Sequence, residues 1–289
     1  MAGNDRQKGR QAFIFSGFCP ILRQPDSNLK TPTSGAPDVI VYEHPLSERV
    51  RTLLRLEHLF ERTEYFQGRN DGPEHHVALL LIFEILEVAS RADLKSDLLQ
   101  ELERQKQTLD ALRDNPDISE EALDNVLWQI DQASSRLFQA SGKVGQELRE
   151  NDWLMSIKQR TGIPGGVCGF DLPSYHYWLQ QGADQRRHDL QQWLAPFLPT
   201  RDAISIVLRL LRESGKTSAQ TAQQGIYQQM MAGRMAQMLR IRLADDYVCI
   251  PEISANKYAL NIRFTTQEGM QRPKASDTDV EFELTFCNF

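Results

Sequence analysis

The sequence predicts an α+β protein, an N-terminal helical bundle domain followed by a C-terminal antiparallel β-sheet domain. Three observations carry that reading. From Leu46 to Leu211 the apolar residues recur at helical spacing, and beyond Ser214 most of them alternate with a period of two. Between the two regimes the stretch from Ile163 to Leu179, IPGGVCGFDLPSYHYWL, breaks the helical pattern with Pro164, Gly165 and Gly166 and announces a new helix at Asp171 and Pro173. The limits that follow are 1–38 as a disordered N-terminal extension, 39–162 with 173–214 as the helical domain, and 163–172 with 215–289 as the antiparallel β domain.

Composition narrows the function classes. A chain of 289 residues with 40% hydrophobic content has material for one large or two modest cores. Its net charge of −6 argues against broad nucleic-acid binding, which shows as a basic domain. Four cysteines, Cys19, Cys168, Cys249 and Cys287, stand far apart without a CxxC spacing, so neither a zinc site nor a disulfide framework is indicated and a reducing cytosol suits the chain.

The first 38 residues have the outline of a signal peptide, with Arg6, Lys8 and Arg10 before an apolar run from Ala12 to Leu22. Ser16, Gly17 and Pro20 interrupt that run, and the Pro/Ser/Gly-rich RQPDSNLKTPTSGAPD follows in place of a cleavage site, so the segment reads as an extension. No stretch has the ~18 uninterrupted apolar residues of a spanning helix.

Val39 to Tyr42 is a short β-prone run, and Pro45 suits the first position of the next helix. In that helix Leu46, Val50, Leu53, Leu54, Leu56 and Phe60 form the apolar arc, with Glu57 inside it. A carboxylate there is expected to be buried and paired with an Arg; the competing reading is a catalytic acid. His75 to Ala89 is apolar nearly all round and reads as the central buried helix. Asp93 opens the next helix, Asn115-Pro116 ends it, and Asp117 or Ser119 caps a second one that ends near Gly142. A helix from Gly145 to Arg160 leads into the junction, where Val167 to Phe170 is expected as a short strand. Helices over Pro173–Gln181, Asp184–Phe197 and Thr200–Ser214 complete the helical part.

In the β part, Leu239, Ile241 and Leu243 alternate with Arg240 and Arg242, Tyr258 to Phe264 alternate with Lys257, Asn261 and Arg263, and Val280 to Phe286 alternate with Glu281, Glu283 and Thr285. Thr217 to Met230 is polar enough to be a strand or an ordered loop.

Several motifs fail on spacing. Ser214-Gly215-Lys216-Thr217 resembles the end of a P-loop, but Leu210 stands where the first Gly belongs and the loop closes a helix instead of opening one. His75 and His76 have no partner ligand at i+4, and Cys168 with His176 lacks a third group, so metal binding and nucleophilic catalysis are both unsupported and no cofactor is expected. The basic strand residues survive better. Arg240 and Arg242 share one strand face, Lys257 and Arg263 another, and neighbouring strands would make a positive surface from them, either a dock for a carboxylate-bearing peptide or a solvated face neutralised by Glu281 and Glu283. A nucleic-acid-binding regulator using the same face is the alternative, weakened by the lack of exposed aromatics on these strands.

Four stretches, VIVYEHPLSERVRTLLRLEHLF (39–60), LLQELERQKQTL (98–109), IPGGVCGFDLPSYHYWL (163–179) and NIRF (261–264), resemble the ZapD family of FtsZ-associated cell division proteins. The resemblance runs from about Val39 to the C-terminus. It implies a cytoplasmic homodimer at mid-cell, without catalytic activity, that binds the C-terminal tail of FtsZ and crosslinks and bundles its filaments. Matched motif to motif, the family's basic tail pocket would include Arg91, His176 and Arg263. Ala259 stands where the family can carry a second Arg, so either the pocket is less basic here or Lys257, Arg240 or Arg242 compensates. Neither nucleic acid nor membrane is an implied partner.

Overall fold

The computed structural model describes residues 39–90, 93–140, 142–231, 233, 236–267 and 269–288. The 1–38 segment lies outside them. The chain divides into two compact units, one built from the residues up to Arg51 with Thr108–Asp124 and Arg209–Phe289, the other from Thr52–Gln107 with Asn125–Leu208.

In the order of the chain the elements are β1 (Val39–Pro45), α1 (Glu48–Gln67), α2 (Gly72–Ala89), α3 (Leu94–Asp110), α4 (Glu120–Gln139), α5 (Gln146–Arg149), α6 (Asp152–Thr161), α7 (Pro173–Leu179), α8 (Ala183–Leu194), a 3-10 turn (Ala195–Phe197) and α9 (Leu198–Glu213). Then come β2 (Lys216–Ala222), β3 (Ile226–Met230), β4 (Met238–Ala244), β5 (Ile250–Ala255), β6 (Ala259–Thr266), β7 (Lys274–Ala275) and β8 (Val280–Cys287). This is the expected α+β arrangement.

Helix α2 is the buried centre of the second unit, packed by α6, α7 and α8. It starts earlier than its apolar run suggests, because Asp71 and Glu74 form a capping box and Pro73 occupies the first turn. Ser47, not Pro45, opens α1: its hydroxyl accepts the Val50 N–H while Pro45 ends β1. The expected single helix from Gly145 to Arg160 is two, since Asn151 takes the Leu154 N–H with its side chain and starts α6 afresh.

Three expectations are corrected. Glu57 is only half-buried, at the edge of a face made by Leu53, Leu56, Phe60 and Thr63; those positions recur at three- and four-residue steps and leave Leu54 and Glu57 on its flanks. Val167 to Phe170 is a succession of turns: the Cys168 N–H donates back to the Gly165 carbonyl, and the Cys168 carbonyl accepts from Asp171 and Leu172, local bonds that a strand does not make. Thr217 to Met230 is two strands, β2 and β3, which enter different sheets through the turn at Gln224 and Gly225.

Two antiparallel sheets make the β part. One has the order β1-β4-β8-β2 and the other β3-β6-β5, with β7 pairing the far end of β6. β1, placed with the helical part by sequence reading, pairs β4 over its whole length. One apolar core serves both sheets: Leu239, Ile241 and Leu243 of β4 and Phe282 and Leu284 of β8 meet Leu260, Ile262 and Phe264 of β6. Phe264 and Phe282 lie 5.1 Å apart between ring centres. The alternation seen in the sequence is thus the inside and outside of a two-layer β structure. Gly215 joins α9 to β2 where a Cβ would come within 2.5 Å of Thr285 Cγ2 and 2.7 Å of the Phe286 carbonyl, so only glycine fits the close approach.

Candidate peptide-binding face

The outer faces of the two sheets differ in how their charges are spent. On the four-stranded sheet Arg240 stands opposite Glu43 and Arg242 opposite Glu283 across neighbouring strands. Arg212 reaches from the end of α9 to donate to both Glu43 oxygens at 2.8 and 2.9 Å, and Arg240 Nε lies 3.1 Å from the same carboxylate. Arg242 Nη1 lies 3.1 Å from Glu283. Each of these three cations lies within ion-pair distance of a carboxylate, which favours neutralised ion pairs over an open dock for Arg240 and Arg242.

On the second sheet Arg263 is exposed in β6, between Ile226 of β3 and Glu252 of β5, while its neighbours Ile262 and Phe264 point into the core. Among the described residues no carboxylate lies within ion-pair distance of Arg263, Glu252 included. Two residues along, Asn261 stands between Gln228 and Ser254. These residues line a shallow groove of about 440 Å³, within the usual range for ligand clefts. Lys257 is exposed at the turn before β6, its ammonium 4.7 Å from the Tyr258 ring centre.

The sequence-predicted site residues are therefore not one cluster. Arg240 and Arg242 belong to one sheet and Arg263 to the other, so the positive surface expected from neighbouring strands does not form from these four residues. His176 is exposed on α7 in the other unit, and a side chain at Gly169 would meet its ring. Arg91 lies outside the described residues. The catalytic and metal readings gain nothing: His75 and His76 are engaged with Arg186 and Tyr175, and among the described residues no trio of His, Cys, Asp and Glu side chains is placed to hold a metal. Burial pushes the Cys287 thiol up to about 12, which makes it inert. Ile226, Gln228, Glu252 and Ser254 were not singled out in the sequence, because their strands show little alternation.

Comparison with known proteins decides the family. The ZapD family model, described as a cell division protein, matches residues 54–263. The chain is 60% identical over 249 residues to the cell division protein ZapD of Azoarcus sp. (strain BH72), covering 86% of this chain and 99% of that protein. The chain belongs to the ZapD family. Other ZapD relatives are nearly as similar: that of Aromatoleum aromaticum is 57% identical over 253 residues (88% of this chain, 99% of the relative), and that of Chromobacterium violaceum 56% over 252 (87% and 100%). A role in cell division follows, and none of these ZapD names is an enzyme's. Among the described residues no helix is long and apolar enough to cross a membrane.

Proposed function

We propose that this ZapD-family chain binds the C-terminal tail of FtsZ and, as a homodimer, crosslinks and bundles FtsZ filaments at mid-cell in the cytoplasm. The observation that carries the tail site is Arg263, an exposed cation with no carboxylate partner among the described residues, set in a groove on a sheet face. Such a guanidinium offers a carboxylate-bearing peptide a charge-assisted hydrogen bond. The family resemblance also implies Arg91 and His176 as tail-binding residues; Lys257 is an exposed cation at the turn before β6, whereas Arg240 and Arg242 are matched by Glu43 and Glu283.

The mechanism is avidity. A dimer offers two tail sites, a filament displays many tails, and weak single contacts sum to a stable bundle through effective concentration. Co-sedimentation with polymerised FtsZ tests this reading. The protein is expected to pellet with intact filaments and to stay in solution with filaments lacking the tail; no pelleting with intact filaments overturns it.

A further inference from the structure

The outer face of the β3-β6-β5 sheet carries two parallel cross-strand rows. Ile226, Arg263 and Glu252 form one, and Gln228, Asn261 and Ser254 form the other. Adjacent rows are two residues apart along a strand, roughly 6.8 Å, which is the i to i+2 repeat of any extended peptide. A peptide laid along β6 therefore meets the two rows in the same register as its own alternate residues.

The chemistry of the rows is complementary to such a peptide. Among the described residues the side chains of Gln228, Asn261 and Ser254 make no intramolecular hydrogen bond, so their donors and acceptors are open to a ligand. Two of them are amides, each with donors and an acceptor, which match the N–H and C=O groups of an extended backbone. Arg263 in the adjoining row is open to a carboxylate, and Ile226, 51% exposed, offers apolar surface beside it. Glu252, directly across from Arg263 and not paired with it, places a negative charge within one strand spacing of the carboxylate site. A single carboxylate contacts Arg263 without crossing Glu252, but a phosphodiester chain, charged at every residue, meets repulsion there.

We propose that this face is a two-row cradle for an extended peptide, in which Gln228, Asn261 and Ser254 hold the backbone, Arg263 holds one carboxylate and Glu252 excludes polyanions. The proposal rests on the FtsZ-tail reading for the identity of its occupant. It assigns positioning and specificity to residues beyond the basic ones.

The test uses the full chain, a fluorescent synthetic peptide of the FtsZ C-terminal tail, and single-stranded polyuridylate as the polyanion. Gln228→Ala with Asn261→Ala is expected to weaken the peptide by about five-fold or more, as the loss of hydrogen bonds to a ligand does, with an unchanged circular dichroism spectrum. Asn261→Ser alone, which keeps one polar group, is expected to fall between this variant and the wild type. Glu252→Gln is expected to keep peptide affinity within about three-fold and to raise polyuridylate binding about ten-fold at low salt. A wild-type chain that binds peptide, with the Gln228/Asn261 variant binding it equally, overturns the cradle and leaves the FtsZ reading standing. Unchanged polyuridylate binding by Glu252→Gln overturns the exclusion role. A wild-type chain that binds no tail peptide overturns both.

Discussion

Arg186 donates its Nε–H to Nδ1 of His75 at 2.8 Å, and both side chains are buried. The other ring nitrogen donates to the Arg69 carbonyl at 2.8 Å, and Arg186 goes on to the carbonyls of Leu179, Gln181 and Asn70. The pair thus ties the entry of α2 to the loop between α7 and α8 inside the second unit. The bond needs a neutral imidazole.

That requirement gives a pH dependence. Desolvation holds His75 below the ordinary histidine value; the Arg69 carbonyl opposes the shift, and the Arg186 and Arg187 guanidinia reinforce it. The unfolded chain then binds more protons than the folded one as pH falls. The contribution is complete above the unfolded value of about 6.5 and is lost progressively below it. His44 and His76 are lowered in the same direction, also by desolvation first. Thermal unfolding is expected to show a falling midpoint from pH 7 to pH 5. His75→Gln, which removes one titrating group, is expected to flatten that slope, and identical slopes would contradict the assignment.

Removing the partner altogether is a separate matter. His75→Ala leaves the buried Arg186 Nε–H without its acceptor, at a cost of about 1–3 kcal/mol. Urea unfolding at pH 8, where the imidazole is neutral in both states, measures it free of titration.

The two ion pairs on the four-stranded sheet are expected to differ. Glu43 serves Arg212 and Arg240 with all three side chains mostly buried, and Glu43→Ala strands two guanidinia, costing about 1–3 kcal/mol. Arg242 and Glu283 are each nearly half exposed, and Arg242→Ala is expected to cost under about 1 kcal/mol. Equal losses in urea unfolding would mean that burial does not set the ranking.

Gly215→Ala tests the close approach of the α9–β2 connection. The new methyl meets Thr285 and the Phe286 backbone rather than the free end of a long side chain, so overpacking of about 1–3 kcal/mol is expected in thermal or urea unfolding. A neutral result would show that β8 gives way at no cost.

Much of the fold was legible because alternation and helical spacing are local properties. β4, β6 and β8 declare their inner faces through Leu239, Ile262 and Phe282, each pointing into the core. β5 was hidden by Pro251, which is tolerated because it stands opposite Phe264, whose N–H and C=O turn to the other side, to Gly225 and Ser276. Alternation names a face but not a partner. That Arg240 meets Glu43 from a strand nearly two hundred residues away, and that Arg263 meets no carboxylate among the described residues, depends on register between distant strands. Glu57 was misplaced because Leu54 widened the apolar arc of α1 in sequence, while the packing uses the narrower stripe through Leu53, Leu56 and Phe60.

On the proposed reading the FtsZ tail is held by the outer face of the β3-β6-β5 sheet. The most direct measurement is the binding isotherm of the FtsZ tail peptide at low salt for the wild type and Arg263→Glu, with circular dichroism as the control for folding. Arg263→Glu reverses a charge on an exposed position and spares the core beneath it. A loss of about 1–3 kcal/mol in peptide binding is expected, the scale of a charge-assisted hydrogen bond, together with a weakening of the wild type as salt rises. Equal isotherms for the two proteins would contradict the account.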